Sequence, residues 1–487
     1  MSHQHKFLHL DRRSFLTSSA AMVGTLAVAS PFTPAWAAAP LLKVDSRTLE
    51  VNKKAAKVFG IVGANGKAGL LANEGDRLSG SVLNASAQPL QLHWHGQTKA
   101  PADQDRARPD GTPCAAGATD TFDFALTPGT HWMHSHSLTE QQLLAAPMIA
   151  REKDAGDVQD VVVMLHDFSF RSPEEILAGL GGSNAHGGHG SGQGGGASQG
   201  TTMPGHGGHM MGGGMMMGMM THANDVKYDA FLANDRTLDD PDVIRVEKGG
   251  RVRLRIINGG TATAFFIATP GLTSQCIAVD GSPCQPVSSA NYPMAEGQRI
   301  DLLVEIPKEG GAFPVLALVE GAEFATGIVL ATASAAVSKL TSTQTQAQGL
   351  VSLDFEAQLR AKNPLAAKRP DKTFMVMLGE APGYRWTING RVHGEHQPFD
   401  VRQGERVEMT FMNPTSMMHP MHLHGHHFQI VALGGQRFSG AVRDTLIVPA
   451  HAPVTIAFDA NLKGAWFLHC HHLYHMATGM MTEVRIA

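Results

Sequence analysis

Histidine and methionine are the two residue types that this sequence uses far more than ordinary proteins do, and both side chains bind metals. The 487 residues include 26 His and 24 Met, but only 4 Cys. Imidazole nitrogen suits several transition metals, and thioether sulfur selects soft ions such as Cu(I). The composition therefore indicates metal chemistry rather than a disulfide scaffold.

Most histidines outside the N-terminus and a low-complexity segment fall into four short groups. A single His-x-His motif is weak evidence for a metal site, because histidines that bind no metal are more common than ligands. Four groups in two related parts of the chain are not explained by coincidence, and they predict metal ligands. The groups are His93-Trp94-His95-Gly96, His134-Ser135-His136, His419-Pro420-Met421-His422-Leu423-His424-Gly425, and His469-Cys470-His471 with His475 and Met480 downstream.

The tripeptide His469-Cys470-His471 can serve two metal sites from one strand. Successive side chains of a β-strand point to opposite faces, so the thiolate lies on one face and both imidazoles lie on the other. On the cysteine face, a thiolate, two imidazoles and an axial thioether form the ligand set of a blue-copper electron-transfer site. Zinc is the rival interpretation, but structural zinc sites usually take two or more thiolates. The predicted ligands are His419, Cys470, His475 and Met480.

The opposite face of the tripeptide joins the remaining histidines of the four groups. Eight imidazoles, four from each terminal repeat, are too many for one metal and predict a cluster of several coppers between two domains. These ligands are His93, His95, His134, His136, His422, His424, His469 and His471.

Three internal repeats supply the elements that must position these side chains. In each repeat an Arg precedes an Asn by seven residues across alternating apolar positions, which is typical of a β-strand. The segment from Gly129 to His136 also aligns with the segment from Gly464 to His471, so the first and last repeats are related. The three Arg and Asn pairs are Arg77 and Asn84, Arg251 and Asn258, and Arg406 and Asn413.

Period-two patterning with frequent Gly and Pro turns predicts an all-β protein of three antiparallel sandwiches. We place them at 41–160, 224–335 and 373–487, with a linker over 336–372. The middle repeat contains no histidine between residues 223 and 334, so we expect it to be a structural spacer.

The four histidine groups resemble those of the multicopper oxidases in order, spacing and domain placement, over nearly the whole chain. The resemblance implies three cupredoxin-like Greek-key β-sandwich domains that hold four copper ions. By position, His419, Cys470, His475 and Met480 match the ligands of a type 1 copper, and His93 and His422 match those of a type 2 copper. The ligands that match the two type 3 coppers are His95, His134, His136, His424, His469 and His471.

The reaction implied by this resemblance is four one-electron oxidations at type 1 copper, followed by reduction of O2 to two waters at the trinuclear cluster. Cys470 receives each electron, and His469 and His471 pass it on through bonds. Many family members carry a carboxylate directly after the second type 1 histidine, where this sequence has Met476. Asp110 matches the other family carboxylate near the cluster and is our catalytic candidate for proton delivery; a turn-forming Asp-Gly pair is the alternative.

Residues 181–222 form a low-complexity segment with 17 Gly, 5 His, 8 Met and no charged residue. Such a composition cannot bury a core and predicts a disordered insert between the first and second domains. The insert is either a flexible linker or a device that gathers Cu(I) through its thioethers. Together with the residues around Cys470, it resembles the periplasmic copper-resistance oxidases more than plant or fungal laccases.

This second resemblance favours Cu(I) as the physiological substrate, with phenols and aromatic amines as accessible reductants. A laccase that oxidises phenols is one alternative, and a copper-sequestering protein without turnover is another. The intact Cys470 argues against sequestration, because storage of copper needs no electron bridge.

The N-terminus and the charge balance define the compartment and exclude several partners. Arg12-Arg13, an apolar run and Ala35-Trp36-Ala37 predict a twin-arginine signal peptide over 1–37, and therefore export by the twin-arginine translocon to the periplasm. The apolar run is too short and too interrupted by proline for a membrane span. A net charge of −4 disfavours nucleic acid. Cys276 and Cys284 either form a disulfide in that compartment or remain two thiols.

Overall fold

The computed structural model describes residues 42–182 and 223–487. The predicted signal peptide over 1–37 and almost all of the low-complexity segment lie outside the described residues. Within the described ranges the strands form six sheets that pair around three buried cores, which confirms the predicted class of three β-sandwiches. No helix in these two ranges combines the length and the apolar character needed to cross a membrane.

The first sandwich packs a sheet of order β2-β1-β4-β6 against a sheet of order β3-β8-β7-β5. Its core includes Trp94, Phe122 and Phe124. Its strands are β1 Leu42–Val51, β2 Lys54–Val62, β3 Leu70–Asn73, β4 Arg77–Asn84, β5 Leu92–His95, β6 Thr119–Ala125, β7 Gly129–Ser135 and β8 Ala145–Arg151, with 3-10 helices at Ala102–Gln104 and Leu138–Gln142.

The second sandwich packs a sheet of order β10-β9-β12-β17-β14-β15 against a sheet of order β11-β19-β18-β13-β16. Its elements are β9 Gln159–Phe168, helix α1 Pro173–Gly182, β10 Ala230–Ala233, β11 Asp242–Arg245, β12 Arg251–Asn258, β13 Phe265–Ala268, β14 Thr273–Val279, β15 Ser282–Val287, β16 Tyr292–Met294, β17 Arg299–Glu305, β18 Ala312–Val319 and β19 Ala325–Ala331.

The third sandwich packs a sheet of order β21-β20-β23-β29-β25-β26, with β27 also paired to β25, against a sheet of order β22-β31-β30-β24-β28. Its elements are β20 Lys372–Ala381, β21 Arg385–Ile388, β22 Phe399–Val401, β23 Arg406–Met412, β24 His419–Leu423, β25 Phe428–Leu433, β26 Gln436–Arg437, β27 Val442–Arg443, β28 Thr445–Val448, β29 Val454–Asp459, β30 Gly464–Cys470, helix α2 Leu473–Ala477 and β31 Met481–Ile486.

The three sandwiches repeat one topology around the strands that carry the Arg and Asn pairs. β4, β12 and β23 each pair in parallel with the first strand of their sandwich, which is β1, β9 or β20. β9 is therefore the first strand of the second sandwich although it precedes the low-complexity segment. The structure differs here from the predicted start at residue 224, because that segment interrupts the second sandwich after its first strand and α1.

The repeated asparagine closes the same corner in every sandwich. Each side-chain amide donates to two or three backbone carbonyls, and each carboxamide oxygen accepts the backbone N–H two residues later. In the third sandwich, the carbonyl of Met417 accepts from Asn413 at 2.7 Å. This corner fixes the chain just before His419, where β24 begins.

Buried ion pairs join the first sandwich to the second. Arg253 and Arg255 on β12 contact Glu152 of the first sandwich at 2.6 and 2.8 Å. Arg253 also contacts Asp301 on β17 at 2.5 Å, and Asp301 accepts a hydrogen bond from Thr130 on β7 at 2.7 Å. Breaking one member of such a buried network leaves an uncompensated charge, so the network fixes the two sandwiches in one arrangement.

The segment predicted as a linker, 336–372, packs into the body of the protein. Phe355 and Leu359 are buried in the core of the second sandwich. Glu356 accepts a hydrogen bond at 2.9 Å from Arg443 of the third sandwich. Cys276 and Cys284 face each other across the β14–β15 hairpin as free thiols, with sulfurs 3.9 Å apart.

Replacing Asn258 by alanine tests the importance of the repeated corner. The variant leaves two buried carbonyls and one buried N–H without their partner, so we expect a loss of about 2–4 kcal/mol in the free energy of unfolding. Urea denaturation followed by circular dichroism measures it. Asn461→Ala, at an exposed position, is the control. Equal stability of the two variants would contradict the corner's structural role.

Candidate metal centres

Cys470, His419 and His475 meet inside the third sandwich. Cys470 ends β30, His419 begins β24 and His475 lies on α2. The thiol sulfur is 3.8 Å from Nδ1 of each histidine, and the two Nδ1 atoms are 3.2 Å apart. All three side chains are buried. The structure therefore brings together three of the four residues predicted for the cysteine face, around one point.

Met480, the predicted axial ligand, is held beside this group by its backbone. Its carbonyl accepts a hydrogen bond from the N–H of Cys470 at 3.0 Å, and its own N–H donates to the carbonyl of His475 at 2.9 Å. The side chain is fully buried in the same core as Cys470. The short turn after α2 thus ties the backbone of Met480 to Cys470 and His475, with the Met480 side chain in the same core.

The outer nitrogens of the two imidazoles have partners that orient the rings. Nε2 of His419 lies 2.8 Å from the hydroxyl of Thr415, and Nε2 of His475 lies 3.5 Å from the Asp225 carboxylate. Trp386 stacks on His475 with ring centres 3.9 Å apart. Burial lowers the pKa of His475 to about 3 and raises the pKa of the Cys470 thiol well above its usual range. Neutral imidazoles therefore aim Nδ1 lone pairs at the sulfur.

Eight further histidines meet between the first and third sandwiches, in the part of the chain that the structure describes. Antiparallel pairing sets His93 opposite His134 and His422 opposite His469. Their closest contacts form three groups, and all eight rings are buried. In the first group, Nε2 of His93 is 3.1 Å from Nε2 of His422. In the second, Nε2 of His469 is 3.0 Å from Nε2 of His424 and 3.2 Å from Nε2 of His136. In the third, Nδ1 of His95 is 3.4 Å from Nε2 of His134.

His471 completes the third of these groups. Its ring centre is 5.2 Å from that of His95 and 5.1 Å from that of His134. Neither ring nitrogen of His471 has a hydrogen-bond partner within the protein. His93 and His422, which match type 2 ligands, form one of these contacts. The groups overlap, because His93 could share an ion with His95 and His134 as well as with His422 and His424.

The nitrogens that point into the cluster carry lone pairs, which a bound cation would accept. His422 and His469 direct Nδ1 at backbone carbonyls, at 2.8 and 2.9 Å, so these nitrogens carry the proton and Nε2 is free. Burial lowers the pKa of His93 to about 3 and the pKa of His469 well below its usual range, which keeps the rings neutral. Nitrogen lone pairs that face each other at about 3 Å repel unless a metal or proton lies between them.

Buried carboxylates orient the rings from outside. Asp105 accepts from Nδ1 of His93 at 2.7 Å and lies 3.6 Å from Nδ1 of His424. Glu140 lies 3.0 Å from Nδ1 of His134, and Asp444 lies 3.1 Å from Nε2 of His95. Such outer contacts fix the tautomer of a metal-binding histidine. His95 thus presents Nδ1 to the cluster, whereas His93 presents Nε2.

The second sandwich reaches this cluster although it contributes no histidine to it. Arg299 on β17 donates two hydrogen bonds to Asp444, at 2.6 and 2.5 Å, and thereby fixes the carboxylate that faces His95. Gly297 has a φ of +81° and packs against His471, where an added Cβ would lie 2.6 Å from the ring. The predicted spacer therefore supports the ligands directly.

Asp110, predicted to lie near the cluster, lies elsewhere. Its side chain is 80% exposed and accepts a hydrogen bond from Arg108 at 2.8 Å. The placement of Asp110 was wrong because three aspartates follow His95 in one loop, and their order in the sequence does not show which of them turns inward. Asp105 is the buried one, and His93 and His424 lower the pKa of its carboxyl despite its burial.

Sequence reasoning also missed Glu140, Asp225, Arg299 and Asp444. Glu140 closely follows the histidine-bearing strand β7, and Asp444 precedes β28, which carries no histidine. No periodicity distinguishes either from surface acids. Asp225 and Arg299 come from a repeat without histidine. Only the packing of the sandwiches brings these four side chains to the two clusters.

Comparisons with known proteins agree with this geometry. Three family profiles, each described as multicopper oxidase, match residues 43–154, 159–336 and 366–487. The chain is 30% identical over 428 residues to the multicopper oxidase MmcO of Mycobacterium tuberculosis, which covers 85% of this chain and 80% of that protein. The chain belongs to the multicopper oxidase family. Multicopper oxidases are oxidoreductases that bind copper, typically four ions, and use O2 with a reducing substrate.

Other relatives of this multicopper oxidase include copper-resistance proteins and laccases. It is 24% identical to copper resistance protein A of Escherichia coli, over 85% of this chain and 86% of that protein. It is 26% identical to laccase-4 of Thanatephorus cucumeris, over 94% of this chain and 91% of that protein. The solved laccase of Botrytis aclada has the same fold, with a TM-score of 0.73 at 22% identity over 91% of this chain and 87% of that one.

The two clusters of this multicopper oxidase fit copper. The thiol with two imidazoles and a nearby thioether is a donor set that copper prefers. The eight-histidine cluster supplies inward lone pairs without protons, and the His471 nitrogens lack any partner in the protein. These observations match the copper chemistry of the family, and the assignment of individual histidines to type 1, type 2 and type 3 ions follows as a proposal.

Substituting Asp105 by asparagine tests its role against Asp110. The amide keeps the size of the side chain but removes the charge that orients His93, so we expect copper content or O2 uptake to fall by about 10- to 100-fold. Asp110→Asn is the matched control and should leave both unchanged, because its carboxylate is solvated. Metal analysis and oxygen-electrode rates measure the two effects. A loss confined to Asp110→Asn would reverse this assignment.

Proposed function

We propose that this multicopper oxidase is a cuprous oxidase that protects the periplasm from copper. Four Cu(I) ions give up one electron each, and these electrons with four protons convert one O2 to two waters. The observation that carries this proposal is the location at which the Met- and His-rich segment joins the described fold. The described residues on both sides of it pack against Tyr474, beside the cysteine cluster.

The two ends of the segment are anchored in one hydrophobic cluster. Helix α1 precedes the segment, and the chain is described again from Ala223. Ile176 on α1, Val226 after the segment and Tyr474 on α2 are buried together. Tyr474 directly precedes His475. A tract with eight methionines and five histidines is therefore attached next to the imidazole that binds the predicted type 1 copper.

Asp225 adds a negative charge at the same place. Its carboxylate lies 3.5 Å from Nε2 of His475 and 3.3 Å from Nε2 of His472, and it accepts a hydrogen bond from the Tyr384 hydroxyl at 2.5 Å. The side chain keeps 18% of its surface exposed. A partly exposed carboxylate beside the outer edge of His475 attracts a cationic substrate, which favours Cu(I) over a neutral phenol.

The chain's own residues organise the rest of the reaction. Copper held by the cysteine cluster and by the eight histidines supplies one-electron redox chemistry and the reduction of O2. Cys470 joins the two clusters through its peptide bonds to His469 and His471, which is the shortest covalent path between them. Ser135 occupies the corresponding position on β7, so the first sandwich offers no second path of this kind.

A laccase-type activity on phenols is the second candidate, and the laccases among the relatives favour it. Tyr384, which is partly exposed near His475, provides aromatic surface for a phenol. Export by the twin-arginine pathway, with cleavage near residue 37, is part of the proposal for either activity.

Altering the Met- and His-rich segment separates the two candidates. We expect deletion of residues 183–221 to lower kcat/KM for Cu(I) by roughly 10-fold or more, because the segment raises the local concentration of the ion, and to leave phenol oxidation unchanged. A length-matched variant, with the eight methionines and five histidines replaced by serine, controls for loop length. Equal retention of both activities in both variants would show that the segment is only a linker.

Cys470→Ser tests the electron path itself. Serine fits the space but gives no copper thiolate, so we expect loss of the intense visible absorption band and of O2 uptake with Cu(I) or phenols, while the eight-histidine cluster keeps its copper. Absorption spectra, metal analysis and an oxygen electrode measure these properties. Undiminished O2 uptake would overturn the proposed oxidase mechanism, and no O2 uptake by the fully metallated native protein would favour copper sequestration.

A further inference from the structure

Three methionines lie side by side on the outer face of the third sandwich. Met375 and Met377 on β20 are 56% and 40% exposed, and Met412 on the neighbouring strand β23 is partly buried. β20 and β23 pair in parallel, with Met377 opposite Met412 and Met375 opposite Thr410. The pairing therefore places the three side chains on adjacent positions of one sheet.

The alternation of both strands fixes which way these side chains point. Val376 and Phe411, which are partners in the same register, are fully buried in the core. Their neighbours in sequence consequently project to the other face, away from the core. This is the solvent-facing side of the sheet, where polar residues are usual. The outward positions beside the methionines are Thr373, Glu408 and Thr410.

None of these three neighbouring side chains carries an unpaired charge that would compete with the methionines for a cation. Arg437 donates two hydrogen bonds to the Glu408 carboxylate, at 2.9 and 2.7 Å, so that charge is paired. Thr373 and Thr410 are neutral. A hard ion such as Mg²⁺ prefers carboxylate and carbonyl oxygens, whereas thioether sulfur prefers a soft ion.

The spacing of the sheet allows three sulfurs to converge on one ion. Adjacent strands are about 4.8 Å apart, and alternate residues of one strand are about 6.7 Å apart. The methionine side chain has three rotatable bonds and adapts its shape readily. The sulfurs of Met375, Met377 and Met412 can therefore approach a common point above the sheet without movement of the backbone.

We propose that Met375, Met377 and Met412 form a surface site for one Cu(I) ion, held by three thioether sulfurs. The site is separate from the predicted type 1 ligands: β20 continues for about 13 Å from Met377 to its end at Ala381. Beyond that end, Tyr384 in the hairpin contacts Asp225 beside His475. The site collects the substrate ion in the middle of a strand whose C-terminal end leads to the cysteine cluster. Its role in supply rests on the proposed cuprous oxidase function, whereas the binding does not.

Titration of the full-length, copper-loaded protein with Ag(I), a redox-inert substitute for Cu(I), tests the site. Methyl resonances of ¹³C-methyl-methionine protein are assigned by Met375→Leu, Met377→Leu and Met412→Leu. We expect these three resonances to shift together along one binding curve, which saturates when one Ag(I) ion is bound by the three methionines. Methyl groups of the buried Met133 and Met409 serve as internal controls and should not move. Zn²⁺ should cause no shift.

The triple leucine variant keeps the apolar surface but removes all three sulfurs, so it separates metal binding from docking of another molecule. Loss of one bound Cu(I) in this variant, measured against a chromogenic chelator under anaerobic conditions, supports the site. Absence of the shifts, or three shifts with unrelated affinities, overturns it. Intact shifts without O2 uptake on Cu(I) would leave the site standing and refute the cuprous oxidase proposal, whereas Cu(I) oxidation without the shifts would refute only the site.

Discussion

Nitrogen lone pairs that face one another in a dry interior are the constraint on which this structure depends. His93 and His422 approach within 3.1 Å, and His424 and His469 within 3.0 Å, although the outer nitrogens of His93, His422 and His469 already serve as donors. Left to themselves, neutral rings in this arrangement repel, and burial prevents them from gaining protons. Packing must therefore hold the arrangement before any metal arrives, and the remainder of the fold supplies that packing.

The first and third sandwiches contribute four of these rings each, but the second sandwich keeps the two halves in register. Arg253 and Arg255 bind it to the first sandwich, and Arg299 binds it to Asp444 of the third. Each of these arginine side chains is buried, and Asp301 and Asp444 are buried with them. A charge in such a place is tolerated only in one geometry, because any displacement leaves it unpaired. A domain that contributes no ligand to the histidine cluster thus determines the precision of that cluster.

The strand pattern and the ligand motifs were readable from the sequence because both depend on local periodicity. The seven-residue Arg-to-Asn spacing predicted β4, β12 and β23, and the alternation in His469-Cys470-His471 predicted that one strand faces two clusters. The supporting carboxylates were not readable in this way. Asp105 and Asp110 are both loop aspartates near His95, and only the tertiary packing buries one and exposes the other.

The boundary of the second sandwich was hidden for a related reason. A long segment of low complexity suggests a junction between domains, yet β9 before it pairs with β10 after it, from Phe168 opposite Ala230 to Leu165 opposite Ala233. The parallel contact of β9 with β12 also spans this segment. Such pairing across an interruption has no signature in either flanking stretch alone.

This ladder between β9 and β10 has a consequence for how the protein can diversify. The two strands hold Phe168 and Ala230, which lie before and after the Met- and His-rich segment, opposite each other, so changes in the length of the segment do not require changes in the sheets. Doubling the length of a closed chain segment costs only about 0.6 kcal/mol of entropy. Descendants of this gene can therefore gain or lose soft ligands in large numbers at nearly constant stability, and adjust the enzyme's capacity for metal to their habitat without touching its catalytic architecture.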